Sequence, residues 1–166
     1  DGGNSSYGTA VVGTVSGTSI SFGSPVVFES AGTNYPSATY DSTNDKLVIS
    51  YRDAGNSNRG TVIVGTVSGT SISFGSPTLF NYSDTHYISP IYDSSNDKVV
   101  IAYRGNIEIG TAVVFGNTGF PVASVSSSAT FNSTTTSFVS GTYDSSNQKV
   151  VIAYRDNGNS NYGTAV

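Results

Sequence analysis

The chain has 166 residues, with seven basic and eleven acidic side chains, a formal charge of −4, and no Cys, Met or Trp. The acidic balance argues against nucleic acid as a partner, and the lack of Cys excludes a disulfide framework and thiolate-ligated metal. No apolar run approaches the ~20 residues of a membrane span, and 19 Gly among abundant Ser, Thr and Asn point to short strands joined by tight turns.

The sequence begins at Asp1 and holds no Met, so it reads as a processed product or a piece of something larger. Ser, Thr, Gly and Asn in place of Cys, Met and Trp fit an oxidation-tolerant exported protein. The expected location is extracellular, secreted or on a virion surface.

In chain order, Gly8–Pro25, GTAVVGTVSGTSISFGSP, predicts strands at Thr9–Val15 and Ser19–Phe22 around the hairpin loop Ser16-Gly17-Thr18. The strand resumes at Val26–Phe28 after Pro25, which implies an edge or a bulge because proline lacks the ladder donor. Glu29–Asn34 reads as a loop and Tyr35–Tyr40 as a short strand. Tyr40–Arg52, YDSTNDKLVISYR, is a β-hairpin, its Asp41–Asp45 stretch supplying turn chemistry and the rest β-branched and aromatic residues.

This hairpin returns as YDSSNDKVVIAYR at Tyr92–Arg104 and YDSSNQKVVIAYR at Tyr143–Arg155, at offsets of 52 and 51 residues. The first block returns at Gly60–Pro77 with 16 of 18 positions identical. In Lys98–Tyr103 both alternating sets are apolar, Val99, Ile101 and Tyr103 against Val100 and Ala102, so both faces need covering. Each unit therefore supplies strands A to D. In the first these are Ser37–Tyr40, Lys46–Tyr51, Gly60–Val67 and Ser71–Phe80. In the second they are Tyr87–Tyr92, Lys98–Tyr103, Thr111–Phe115 and Val122–Phe131. The third has Phe138–Tyr143, Lys149–Tyr154 and an incomplete Tyr162–Val166. Phe115–Pro121, FGNTGFP, departs from the VSGTS hairpin of the earlier copies.

Four antiparallel strands per ~50 residues, apolar on both faces, predict an all-β fold of β-propeller blades. The expected organisation is one repeat domain over 1–166, with units at about 1–52, 53–104 and 105–155 and a partial 156–166. About three blades per chain fall short of the ~4–8 that close a ring. Asp1–Val11 and Asp156–Val166 are nearly the same sequence, so two copies pairing head to tail build composite blades. The expected partner is the chain itself, a homo-oligomer and most simply a dimer.

The YDSSNDKVVIAYRD…GNSNYGTAVVGTVSGTSISFGSP pattern resembles repeats of large secreted or viral fibre-type proteins of aquatic microbes. Those resemble propeller-like arrays, and the resemblance implies no activity. The expected role is a non-enzymatic module for adhesion or fibre assembly. A lectin-like binder of surface glycans is the alternative, and a glycosidase-like enzyme the third.

Three features bear on a site. Asp41, Asn44 and Asp45, repeated at 93, 96 and 97 and at 144, 147 and 148, suit either a calcium loop or a turn held by Asx bonds. No Gly and no twelfth-position Glu accompany them, so the turn is preferred and neither metal nor cofactor is expected. With His86 the only histidine and no partnered Ser, no catalytic residue is assigned. The binding candidates are the pairs Tyr51-Arg52, Tyr103-Arg104 and Tyr154-Arg155, with Tyr35, His86 and Tyr87 from the segments between strands D and A. Those segments and the B–C loops differ most between units and share one end of an up-and-down blade, as a recognition surface does.

Overall fold

The computed structural model describes residues 2–116 and 124–166. Among them the protein is all-β, with antiparallel sheets and one short 3₁₀ turn at Ala54–Asn56. The first block gives β1 (Tyr7–Ala10), β2 (Gly13–Ser16) and β3 (Ser19–Phe22). Then come β4 (Val26–Asp41), β5 (Lys46–Asp53), β6 (Arg59–Ser68), β7 (Ser71–Phe74) and β8 (Thr78–Asp84). The second unit continues with β9 (His86–Asp93), β10 (Lys98–Arg104), β11 (Ile109–Gly116) and β12 (Ser124–Val125). The third holds β13 (Ala129–Asp144), β14 (Lys149–Asp156) and β15 (Tyr162–Ala165).

The A–B hairpins form where the turn chemistry placed them. Tyr40 pairs with Leu47 and Asp41 with Lys46, and the same closure recurs at Asp93–Lys98 and Asp144–Lys149. The fourth loop residue is left-handed in each copy, with φ of 54° at Asp45, 52° at Asp97 and 55° at Gln148. Because that position needs a backbone conformation rather than a charge, Gln148 replaces the aspartate without changing the turn.

The segments between strands D and A differ from expectation. Glu29–Asn34 is no loop: β4 runs unbroken over Val26–Asp41, β13 does likewise over Ala129–Asp144, and only Thr85 separates β8 from β9. Each such strand serves two sheets. The first part of β4 pairs with β1 (Thr9 opposite Val27) and the rest with β5 (Ala38 opposite Ile49). Backbone groups therefore find ladder partners along nearly the whole segment, and a solvated loop has no advantage. Bulges near Gly8 and between Asn34 and Ser37 absorb the change of partner.

Strand D is also divided. β7 and β8 lie along the same edge of β6, separated at Gly75–Pro77, where the Gly75 N–H donates to the Val64 carbonyl at 3.0 Å. This is the edge bulge that proline demands. The divergent stretch 117–123, and with it the start of the expected strand at Val122, lies outside the described residues.

Packing follows from the two apolar faces of the B strands: β5 and β10 are covered on both sides, whereas β14 buries only the face of Ile152 and Tyr154 and leaves Val151 37% exposed. The first cluster gathers Ile49, Tyr51 and Ile63, with Phe28 and Phe74 against them. The second brings Val48, Val62 and Phe80 against Val99, Ile101, Tyr103 and Phe115. The third sets Ile91 and Ala102 against Ile152 and Tyr154. Adjacent residues such as Val48 and Ile49 thus belong to different cores, as a period of two requires.

One glycine position per unit makes room for this packing. A Cβ on Gly60 would come within 2.6 Å of the Phe80 ring, and Gly8 and Gly110 hold the same relation to Phe28 and Phe131. The rings in turn pack on the B-strand tyrosines, with centroids 5.2 Å apart in all three copies. Finally β9 lies between the second halves of β4 and β13, and the Gly141 N–H donates to Ser89 Oγ at 3.0 Å. A groove of about 450 Å³ runs along these strands, lined by Ala38, Pro90 and Gly141 and by Tyr40, Tyr92 and Tyr143.

Candidate binding face

Tyr and Arg are neighbours on each B strand, so their side chains leave opposite faces. The structure therefore separates the pairs. Tyr51, Tyr103 and Tyr154 are in the core, 0%, 4% and 8% exposed, rather than on a surface. The Tyr51 hydroxyl donates to Glu29 Oε2 at 3.1 Å. Burial pushes the Tyr103 hydroxyl up to about 12, and burial beside the Glu29 carboxylate raises Tyr51 well above the phenol range. Tyr51 is thus sealed in the core, while Tyr103 also lines a groove of about 460 Å³ with Phe80, Val113 and Val125.

Arg52, Arg104 and Arg155 emerge on the other side, where the structure brings them to Tyr35, His86 and Tyr87. A residue absent from the sequence-based candidates completes the group: Phe138, which occupies in the third unit the place of Tyr35 and Tyr87. Tyr35 and Tyr87 have ring centroids 5.6 Å apart, and Tyr87 and Phe138 5.3 Å. The His86 ring lies 5.6 Å from Tyr35. Arg104 Cζ sits 5.0 Å from the Tyr87 centroid, and Arg155 Cζ 4.7 Å from that of Phe138.

The backbone explains how the aromatics form a row. Tyr35, Tyr87 and Phe138 have φ of 51°, 50° and 53°, left-handed in all three copies. Each sits at an irregularity in the A–B register. A bulky residue in this region is rare and costs of order 1–3 kcal/mol. The bulge turns successive aromatics out of the sheet and toward one another, leaving Tyr35 40% and Phe138 62% exposed.

The guanidiniums differ in how they are neutralised. Arg52 Nε donates to Asp84 Oδ1 at 2.9 Å, and Asp84 Oδ2 lies 3.1 Å from His86 Nε2. Burial pushes the Asp84 carboxyl up, but its bonds to His86 and Arg52 outweigh this and hold it below the usual carboxylate range. Arg155 Nε donates to the neutral Asn157 Oδ1 at 2.8 Å. Arg104 has its Nη1 3.9 Å from Glu108 Oε1, while its Nε is buried without an acceptor among the described residues.

The opposite end of the units is built differently. Asp41 Oδ1 accepts the Thr43 and Asn44 N–H groups at 3.1 and 3.0 Å, and its Oδ2 accepts Asn44 Nδ2 at 3.0 Å. Asp93 and Asp144 hold Asn96 and Asn147 identically. These carboxylates are engaged by donors in the manner of Asx turns, and no group of three or more metal-binding side chains is gathered among the described residues. Asn44 Nδ2 also donates to Asp97 Oδ1 at 2.9 Å, so neighbouring turns are linked. The Asn81 and Asn132 amides are likewise engaged, donating to Thr85 and Thr136.

The variable segments do share one end. Thr85 N–H donates to the Asn58 carbonyl, Thr136 N–H to that of Glu108 and Asn157 N–H to that of Thr135. The aromatic row and its arginines lie within this end. Compared with protein-family models, curated proteins and solved structures, the chain matches none.

Proposed function

We propose that the chain is a non-enzymatic structural module, about three blades of a partial propeller, that assembles with further copies of itself in adhesion or in a fibre at a microbial or viral surface. The observation that carries this is the burial of one sequence in two settings. Ile72 in the second block is 7% exposed, whereas its counterpart Ile20 in the first is 55% exposed, beside Val15 at 70% and Phe22 at 64%. Apolar side chains gathered at one open hairpin favour association. In the second block β5 of an A–B hairpin pairs along β6; an A–B hairpin of the YDSSNDKVVIAYR type from a second copy, in the simplest case a dimer, takes the same place beside the first block. Light scattering after size exclusion at micromolar concentration tests this. The expected result is an oligomer that the exposed double substitution Ile20→Asp, Phe22→Asp converts to a folded monomer. A well-folded monomer of the native sequence overturns the reading.

A second reading, a lectin-like module at an extracellular surface, is favoured by the aromatic row. Three strained bulges, two of which leave Tyr35 40% and Phe138 62% exposed, cost stability, and a binding role gives that cost a purpose.

A further inference from the structure

We propose that the row of Tyr35, Tyr87 and Phe138, with Arg104 and Arg155, binds an extended acidic polysaccharide whose pyranose units carry carboxylate or sulfate groups. The inference rests on the lectin-like reading and narrows its ligand. Three observations converge on this chemistry.

The first is spacing. Centroid steps of 5.6 and 5.3 Å, between rings inclined to one another by 49° and 45°, match the length of one pyranose residue in an extended chain, so successive sugars meet the outer edges of successive rings. A sugar presents an apolar C–H face beside hydroxyl edges. The row offers the complementary pattern, with ring surface next to the Tyr35 and Tyr87 hydroxyls, His86 and the Thr- and Ser-rich strand ends.

The second is charge. The chain as a whole is acidic, at −4, yet cations lie along this row and their neutralisation fades from the first unit to the third. Arg52 is satisfied by Asp84 at 2.9 Å. Arg104 has only the 3.9 Å approach to Glu108 and a buried Nε with no acceptor among the described residues. Its side chain is 15% exposed, so a ligand anion meets the outer Nη edge. Arg155 has a neutral amide partner at 2.8 Å. Guanidiniums stacked on rings keep their outward N–H donors for carboxylate or sulfate oxygens, and a single anion per sugar reaches Arg104 and then Arg155 along the chain.

The third is the backbone. Three bulky residues held at φ near 50° in equivalent places are costly, and such outliers concentrate where ligands are clamped. Packing alone does not require the outer two, because Tyr35 is 40% and Phe138 62% exposed.

Isothermal titration calorimetry with matched polymers tests the proposal. The probes are polygalacturonate against its methyl ester, dextran sulfate against dextran, and inorganic polyphosphate as a polyanion without sugar rings. At least one acidic polysaccharide is expected to bind about tenfold or more tighter than its neutral counterpart, with affinity falling as salt rises. Phe138→Ala and Tyr87→Ala are each expected to weaken binding about tenfold, as loss of an aromatic anchor does. Phe138→Ala, at an exposed position, is expected to leave the melting temperature within a few degrees. Arg104→Gln with Arg155→Gln is expected to abolish the preference for the acidic member while retaining residual binding. Equal binding of charged and neutral members overturns the acidic class and leaves the lectin-like reading standing. Binding to none of the polysaccharides overturns both. Polyphosphate binding as tightly as the acidic sugars, with Phe138→Ala without effect, reduces the row to ion exchange and overturns the proposal.

Discussion

Gly8–Pro25 and Gly60–Pro77 differ at two of 18 positions, yet they do not adopt the same structure. The second forms the continuous strand β6 followed by β7, whereas the first breaks at Val11-Val12 into β1 and a separate two-stranded sheet, β2–β3. The cause is the neighbouring strand. β5 pairs with β6 residue by residue, from Leu47 opposite Gly65 to Asp53 opposite Arg59, and holds its middle straight. Among the described residues β1 pairs only with β4. Burial follows the same difference: Ile63 is 2% exposed and its counterpart Val11 is 45% exposed. One sequence is thus half of a core in one place and a surface in the other. Strand identity is local, but stability is conferred by the strand next door.

The largest effect that sharpens this contrast comes from Ile63 and Val11. Ile63→Ala is expected to cost about 2–5 kcal/mol, and Val11→Ala no more than ~0.5 kcal/mol, as at ordinary surface sites. Chemical denaturation of both variants at concentrations where the protein is monomeric checks the pair. Similar costs at the two sites would mean that the first block is covered as fully as the second.

A pH measurement probes the cores that β5 and its equivalents complete. Tyr103, in the second core, is held neutral by burial, with its pKa raised to about 12. Because the folded value lies above the unfolded one, the contribution is fully present below pH ~10 and is lost as pH rises toward 12. The loss is of order 1–2 kcal/mol once solvent screening at the groove is allowed for. Stability should therefore fall steeply between those pH values, and Tyr103→Phe should flatten the fall. An unchanged alkaline limb in that variant would place the hydroxyl in water.

A smaller contrast lies within the hairpins. Ile72→Ala is expected to cost about 2 kcal/mol and Ile20→Ala ~0.5 kcal/mol or less in the monomer. In the assembled form the cost at Ile20 should rise toward that at Ile72. Equal small costs in both states would remove the hairpin from the assembly interface.

The smallest effect belongs to the turns, which every unit keeps alike. The Asn147 side chain and backbone bonds hold the Asp144 carboxyl below its ordinary value. At Asp93 burial pushes the other way, and the bonds to Asn96 and its neighbours win. A depressed folded pKa gives stability that is present above the unfolded value and lost as pH falls through the folded one. A modest loss of melting temperature is expected below pH ~4, and Asp144→Asn should shrink it. Addition of EDTA should change nothing near neutral pH, since the Asp oxygens already accept N–H bonds; a shift of several degrees would make these turns cation sites.

Much of this was readable in advance because it is local. The turn at Asp41–Asp45, the β-branched run at Lys98–Tyr103 and the interruption expected after Pro25, which separates β3 from β4, follow from residues that dictate their own backbone. The continuity of β4 did not, since Glu29–Asn34 carries loop-like residues and becomes strand only by pairing with β1 and then β5. The candidate site was legible in part. Tyr51, Tyr103 and Tyr154 share a dipeptide with the arginines, and only the alternation of the strand sends them into the core. Nothing local marks Phe138 as a site residue, because its neighbours, STTTSFVS, resemble neither NYPS nor HYISP; its position in the repeat is the available signal.

By itself the sequence determined the period, the all-β class, the placement of the hairpins and the demand for cover on both faces of each B strand. Those features depend on turn residues and on a side-chain alternation that no neighbour can change. The tertiary structure decided which copy of a nearly identical block is buried, where a strand passes from one sheet to the next, and that aromatics 51 or 52 residues apart stand in one row. These depend on which edges and faces meet, and the free energy of burial resides in the pair of surfaces rather than in either strand alone.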